Sequence, residues 1–169
     1  MLSLPEELKE ILRKSFLIRI SVEGRKTKAV RLVELTYYWD GNKKIYLSGY
    51  PGKRDWLANM QSNPHVTVHT VEFETNWDII GKARIVEDRN ERITYILNYI
   101  EHWSVRPGYP RIIMQFSTRM IKLNKKLNLP WWGPFWFARK ILDQMPCVEI
   151  EFKENPKLRV SPAPSHDSL

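Results

Sequence analysis

The spacing of apolar positions divides the chain into short helices and strands. Near the start, apolar residues recur every three or four positions, which predicts an amphipathic helix. This apolar stripe consists of Leu4, Leu8, Ile11 and Leu12. Three strands are predicted next, at residues 17–22, 29–39 and 43–48, and the longest is rich in Val, Leu, Tyr and Trp. Between the last two strands, Asp40-Gly41 is a strong hairpin signal.

The middle of the chain alternates between helix and strand signals. A short helix is predicted at residues 53–60 and ends before a proline, since the residue that precedes proline avoids the helical region. Strict alternation predicts a strand at 65–71. A further strand at 77–86 contains Gly81, which predicts a β-bulge, and a helix follows at 88–100.

The last third of the chain is less regular. Residues 102–145 hold several prolines and one predicted helix, at 112–124, so they are interpreted as an insertion. A final strand is predicted at 147–152. Residues 155–169 are rich in Pro and Ser and are expected to be a flexible tail, which leaves 1–154 as a single domain.

The order of the predicted elements indicates the fold class. Meandering strands are interrupted by helices, and no strand–helix–strand repeat of the doubly wound type is present. This order favours a mainly β, α+β fold in which an antiparallel barrel, closed or split, is flanked by helices.

Composition and charge narrow the class of protein. The 169 residues, of which 43% are hydrophobic and 27% charged, are typical of one globular domain without a membrane span. Cys147 is the only cysteine and the N-terminus does not resemble a signal peptide, so we expect a cytoplasmic protein without an internal disulfide. The net charge of +8 and the 12% aromatic content suit a phosphate, a nucleic acid or an anionic lipid.

A basic turn forms the first candidate site. Four cations and no acid lie between residues 25 and 31, namely Arg25, Lys26, Lys28 and Arg31. They fall on a turn and the start of a strand, where side chains and free backbone N–H groups can converge on a phosphate. Arg31 shares a strand face with apolar residues, which favours a half-buried anion. The alternative is a solvated basic hairpin.

The loop before the short helix forms a second candidate site. Ser48 and Gly49 lead into a predicted helix that starts with Lys53 and Arg54. Cations oppose the dipole at a helix N-terminus, so their presence there favours an anionic ligand. The alternative is an ordinary loop, because no Walker phosphate-binding motif is present.

Neither a metal site nor a catalytic set is predicted. His65 and His69 are four residues apart on a predicted strand, which places them about 13 Å apart on one face, too far to share one ion. The sequence places no Ser/His/Asp or Cys/His set, so the catalytic residues are left unknown.

An aromatic cluster occupies residues 129–137 and is flanked by cations. One interpretation is weak contact with a membrane surface through Trp131, Trp132 and Trp136. The other is packing over the barrel, as a lid or a dimer contact. Prolines and a glycine interrupt any long amphipathic face, which favours packing.

The motifs together resemble a known family. They are Gly24-Arg25-Lys26-Thr27, Arg31, Leu35, Asp40-Gly41, Trp56-Leu57-Ala58-Asn59 and Asn63-Pro64-His65-Val66. Over about residues 17–90, this order is similar to that of the deazaflavin-dependent nitroreductases. That family belongs to the flavin-binding split β-barrels, which include pyridoxamine-phosphate-oxidase-like proteins.

The resemblance implies a six-stranded antiparallel split β-barrel that forms a homodimer and binds coenzyme F-420 or, alternatively, FMN. By position, the residues that would hold the cofactor phosphate are Arg25, Lys26, Thr27 and Arg31. Leu32 and Val33 would line the ring system through their backbone. The residues that would complete the pocket are Ser48, Gly49, Lys53, Trp56 and Asn59.

The resemblance also implies a function, namely hydride transfer between the reduced cofactor and a small hydrophobic acceptor. Lys28 stands where the family has glycine, Glu34 stands where it has proline, and the loop after Ser48 is shorter than in the family. The altered loop and Glu34 favour an alternative, a flavin-binding carrier or sensor without turnover. A nucleic-acid-binding barrel is a further alternative, although the resemblance implies no nucleic acid partner.

Overall fold

The computed structural model describes residues 2–106, 108, 111–127 and 136–165, with residues 125 and 136–139 described by their backbone alone. The strands are β1 (Leu17–Glu23), β2 (Val30–Trp39), β3 (Lys44–Ser48), β4 (His65–Thr70), β5 (Asn76–Ile85), β6 (Cys147–Phe152) and β7 (Lys157–Arg159). The helices are α1 (Glu6–Lys14), α2 (Asp55–Ser62), α3 (Arg89–Trp103), α4 (Arg111–Lys126) and α5 (Trp136–Gln144).

The first six strands form a closed antiparallel barrel, which confirms the predicted fold class. The strand order is β4-β1-β2-β3-β6-β5, and pairing between β4 and β5 closes the ring. Along β1, buried residues alternate with half-buried ones, so one face of the strand points into the barrel.

Strand β7 corrects the prediction that residues 155–169 form a flexible tail, because it lies within that segment. β6 pairs with only half of one edge of β5, from Gly81 to Ile85. The other half is open, and β7 pairs there with residues Asn76 to Asp78. Three residues between prolines are too short a signal for a strand, and only the unpaired edge makes one form there.

Helix α1 contributes its apolar stripe to the barrel core. Leu8 and Leu12 are fully buried among side chains of the barrel strands. Burying each such side chain is worth about 1.5–3 kcal/mol. The hydroxyl of Tyr37 donates a hydrogen bond to the carbonyl oxygen of Leu12 over 2.9 Å, which joins the last turn of the helix to the C-terminal part of β2.

The predicted insertion forms a helical layer on the outside of the barrel. α4 is close to the prediction, but α5 was missed, because it begins inside the aromatic cluster with its prolines and glycine. The layer has its own apolar cluster of buried residues, which are Tyr46, Val86, Ile93, Ile96, Leu97, Ile121, Leu142 and Cys147. Burial raises the pKa of the Cys147 thiol to about 12, so the thiol stays protonated and unreactive.

Gly81 does not form the predicted bulge. The registers of β5 with β4 and with β6 run through Gly81 without an extra residue. Instead, the glycine allows a close approach between strands, since a Cβ atom at this position would lie 2.6 Å from Cγ2 of Ile150 and 3.2 Å from the carbonyl oxygen of Glu151.

We therefore expect Gly81→Ala to destabilise the barrel. Overpacking at such a site costs about 1–3 kcal/mol, measured as the free energy of unfolding in urea. Gly49→Ala is the matched control, because a Cβ atom there meets no atom within 4 Å. Equal stability of the two variants would contradict the role given to Gly81.

Candidate functional site

A pocket of about 660 Å³ opens where the β1–β2 turn meets the start of α2. A volume of this size suits a small-molecule or cofactor site. Nine of the eleven residues that the resemblance indicated line it, and they are Arg25, Lys26, Thr27, Arg31, Leu32, Val33, Lys53, Trp56 and Asn59. Four further lining residues were not predicted, and they are Val22, Gly24, Arg54 and Asp55.

The pocket combines positive charge with an apolar wall. Its cations are Arg25, Lys26, Arg31, Lys53 and Arg54, and Asp55 supplies the only carboxylate among the described residues that line it. The apolar wall comes from Val22, Leu32, Val33 and Trp56. Such a lining suits a ligand with an anionic end and a flat apolar part, because each region meets its complement.

Arg25 fastens the turn to α2. Its guanidinium group donates to Oδ1 of Asp55 over 2.9 Å and to Oδ1 of Asn59 over 3.0 Å. Its backbone N–H also donates to Oδ1 of Asn59, which is largely buried. With its donors engaged in this way, Arg25 positions the turn, and the remaining cations of the pocket are the groups that can meet an anion.

Several hydrogen-bond donors lie at the pocket near these contacts of Arg25. Among the described residues, the backbone N–H groups of Lys26 and Thr27 have no protein acceptor. Arg31 is exposed at the mouth and donates to Oγ1 of Thr27 over 3.3 Å. Helix α2 begins after Arg54 without a side-chain cap, so its first N–H groups add to a positive environment.

Two of the three departures from the family pattern, Lys28 and Glu34, have a local explanation. Lys28 adopts a positive φ of 60°, the left-handed region that glycine occupies without strain. Its amine pairs with Glu23 over 3.0 Å, and its N–H donates to the carbonyl oxygen of Gly24. Glu34 pairs with Arg19 on the neighbouring strand over 2.9 Å. The turn therefore keeps its form without the family glycine.

Ser48 and Gly49 lie outside the pocket. Ser48 ends β3, is buried, and donates its hydroxyl to the carbonyl oxygen of Pro146 over 2.8 Å. This bond directs the side chain toward β6, away from the basic turn. Gly49 follows Ser48 in the loop and is not among the residues that line the pocket. These two positions depart from what the resemblance implied, because the shorter loop does not bring them to the turn.

A Ser/His/Asp set, which the sequence did not reveal, lies on the outer face of the barrel. Nε2 of His69 is 2.7 Å from Oγ of Ser21, and Nδ1 of His69 is 2.6 Å from Oδ1 of Asp78. The three residues come from β1, β4 and β5, so only the strand register brings them together. Burial lowers the pKa of His69, with nearby Arg159 and Arg19 acting in the same direction and Asp78 opposing.

The surroundings of this set favour a structural role. β1 is paired on both sides, so its N–H groups near Ser21 are committed to the sheet and do not form an oxyanion hole. His69 is only 3% exposed. Arg159 of β7 donates to Oδ1 of Asp78 over 2.6 Å, so the network attaches β7 to the barrel. No group of three or more potential metal ligands occurs in the part of the chain that the structure describes.

Comparison with solved structures shows that proteins of low sequence identity share this fold. One similar structure is a Clostridium acetobutylicum protein of the pyridoxinephosphate oxidase family (TM-score 0.54, 12% identity, 87% of this chain and 82% of that chain). Another is an F420 reductase (TM-score 0.58, 11% identity, 91% of this chain and 98% of that chain). A third is a heme storage protein from Vibrio cholerae (TM-score 0.51, 10% identity, 94% of this chain and 95% of that chain). No family model and no curated protein matches the chain in sequence.

The strain at Lys28 leads to a prediction about the turn. We expect Lys28→Val to lower the free energy of unfolding by about 1–2 kcal/mol, since a β-branched side chain strongly disfavours positive φ. Lys28→Gly should keep or slightly raise stability, because relief of the strain offsets the lost ion pair. Urea unfolding of both variants is the measurement, and a Gly variant less stable than the Val variant would contradict it.

The buried imidazole leads to a prediction about pH. His69 resists protonation when folded, so below its unfolded pKa of about 6.5 the unfolded chain binds a proton that the folded chain does not. Stability should therefore fall between about pH 7 and pH 5, by at most about 1.4 kcal/mol per pH unit for this group. His102, whose pKa burial also lowers, adds to the slope.

His69→Gln should reduce this slope, because glutamine can keep hydrogen bonds but does not titrate. The matched control is His65→Gln, an exposed position on the same strand, which should retain the slope of the unmodified chain. Urea unfolding at each pH measures the effect. An unchanged slope in His69→Gln would show that His69 is not the responsible group.

Proposed function

We propose that the chain is an oxidoreductase that uses coenzyme F-420, or alternatively FMN, to transfer a hydride to a small hydrophobic acceptor. The observation that carries the proposal is the pocket in which free cations border an apolar wall. Both cofactors have a phosphate and a flat ring system, and both parts have a complement in this lining. The fold, shared with an F420 reductase, supports the same class of ligand.

The residues present fit the anionic end of such a cofactor. Lys26, Arg31 and Thr27 would hold the phosphate from the turn, and Lys53 and Arg54 would approach it from the start of α2. Each charge-assisted hydrogen bond of this kind contributes roughly 1.5–3 kcal/mol. Arg25 would act indirectly, since its contacts with Asp55 and Asn59 keep the turn in place.

The apolar wall fits the ring. Leu32, Val33 and Trp56 would pack against it and exclude water from one side. The cofactor supplies the redox chemistry when it is bound, and the protein orients it and sets its electrostatic environment. This division of labour needs no protein nucleophile, in agreement with a Ser/His/Asp set that lies on the barrel surface and lacks an oxyanion hole.

Three alternatives are distinct from this proposal. A flavin-binding carrier or sensor would use the same pocket without turnover, and the position of Ser48 and Gly49 outside the pocket favours it. Haem is a weaker candidate, because an axial ligand is required and no His, Cys, Met or Tyr is among the described residues that line the pocket. Nucleic acid binding would show a steep dependence on salt, which cofactor binding would not.

We also propose that the protein is a homodimer with the cofactor sites near the interface. The family resemblance supports this arrangement. An open pocket that covers only part of a cofactor agrees with it, since a second copy would complete the enclosure.

Arg31 provides the sharpest test of the cofactor site. Arg31→Ala should weaken the binding of coenzyme F-420 or FMN tenfold or more, about 1.4 kcal/mol per decade, because a charge-assisted contact is lost. Arg31→Lys should recover only part of the affinity, since lysine lacks the planar fork. The side chain is exposed, so the fold should persist. Titration of each cofactor by fluorescence measures the affinity.

The matched control is Arg119→Ala, which removes the same charge from an exposed position on α4. Its cofactor affinity should stay close to that of the unmodified chain. If Arg31→Ala and Arg119→Ala weaken binding equally, the effect is one of net charge and the phosphate site lies elsewhere.

A further inference from the structure

Helix α4 presents an apolar stripe to solvent. Ile112 is 84% exposed, Ile113 68% and Phe116 60%, and the stripe continues with Leu123 and Leu127. Positions 112, 116, 123 and 127 follow the helical repeat, so they lie on one side of the helix. Surface helices normally place such a stripe against a core, and here it faces away from the protein.

The opposite side of α4 is already packed. Ile121 and Thr118 are buried, and Ile121 belongs to the apolar cluster that joins α3 to the barrel. Lys122 forms an ion pair with Glu101 of α3. These contacts fix the rotation of the helix, so the exposed stripe cannot turn inward to join the core.

The charged residues of the chain segment that carries the stripe all have one sign. Residues 111–140 include no Asp or Glu and seven cations, which are Arg111, Arg119, Lys122, Lys125, Lys126, Arg139 and Lys140. The carboxylate of Glu101 meets only one of them in the described residues of this region. An apolar stripe bordered by cations is the pattern of helices that lie on anionic lipid surfaces.

We propose that α4 binds to the surface of an anionic bilayer. The apolar stripe would enter the boundary between headgroups and acyl chains, and the cations would meet lipid phosphates. A second copy of the chain is a poorer occupant, because a two-fold contact would bring two basic surfaces together. No helix in the described part of the chain is long and apolar enough to cross a membrane, so the contact is peripheral.

This proposal does not depend on the proposed cofactor, nor on Trp131 and Trp132, which lie outside the described residues. Its evidence is the exposure of the stripe on α4, the fixed rotation of the helix and the absence of Asp and Glu from residues 111–140. The membrane contact predicted for the aromatic cluster involves residues that follow α4 in sequence, but the variants that test the present proposal all lie on α4.

Sedimentation of the full chain with lipid vesicles tests the proposal. The chain should bind vesicles that contain phosphatidylglycerol and bind phosphatidylcholine vesicles much more weakly. Ile112→Ser combined with Phe116→Ser should reduce the binding tenfold or more, on the order expected for two large apolar side chains. Both residues are exposed, so thermal unfolding should show that the fold is retained.

A second pair of changes tests the charge. Arg119→Gln combined with Lys126→Gln should reduce binding to the anionic vesicles by on the order of tenfold and leave weak binding to neutral vesicles unchanged. The matched controls are Leu158→Ser with Val160→Ser, two exposed apolar positions elsewhere, and Lys82→Gln with Lys157→Gln. Both control pairs should bind as the unmodified chain does.

Three results would overturn the proposal. The first is that the unmodified chain fails to sediment with anionic vesicles. The second is that the stripe variant binds as well as its control. The third is that light scattering shows the stripe variant converting a dimer to a monomer while vesicle binding is unaffected, which would assign the stripe to a second copy.

Discussion

The pairing of β5 on both of its edges is the constraint on which the rest of the structure depends. One edge pairs with β4 and closes the barrel, and the other pairs first with β7 and then with β6. The strands approach so closely at Gly81 that any side chain there would overlap β6. With the ring closed, the β1–β2 turn projects from a fixed point and α2, which packs on β1 and β5, is held beside it.

The pocket forms because the β1–β2 turn lies beside α2 and is joined to it by one ion pair. The side chain of Arg25 bonds to Asp55 and Asn59, so it joins the turn to α2. Four further cations then border the same space, and their mutual repulsion is relieved only by solvent, salt or a bound anion. A site of this kind gains more from an anionic ligand than a neutral pocket does, which is the physical basis of the proposed cofactor.

Two groups of cations in the chain lie beside apolar surfaces. One group of cations borders the pocket, and another borders the exposed stripe of α4. The apolar surface beside each group of cations differs as well, since the pocket has a short concave wall and α4 has a long convex stripe. The first suits a small anionic molecule, and the second suits an extended anionic surface. Composition alone could not separate these two functions.

The sequence by itself determined the barrel strands and the residues of the basic turn. Alternation and hairpin signals are local, and they predicted β1 to β6 to within one or two residues. What only the tertiary structure decided were contacts between distant segments. β7 forms because part of one edge of β5 is open. The hydroxyl of Ser48 bonds to Pro146 and does not approach the β1–β2 turn. Ser21, His69 and Asp78 are brought together by the register of their strands. Each depends on the pairing of residues far apart in the chain, which local periodicity does not encode.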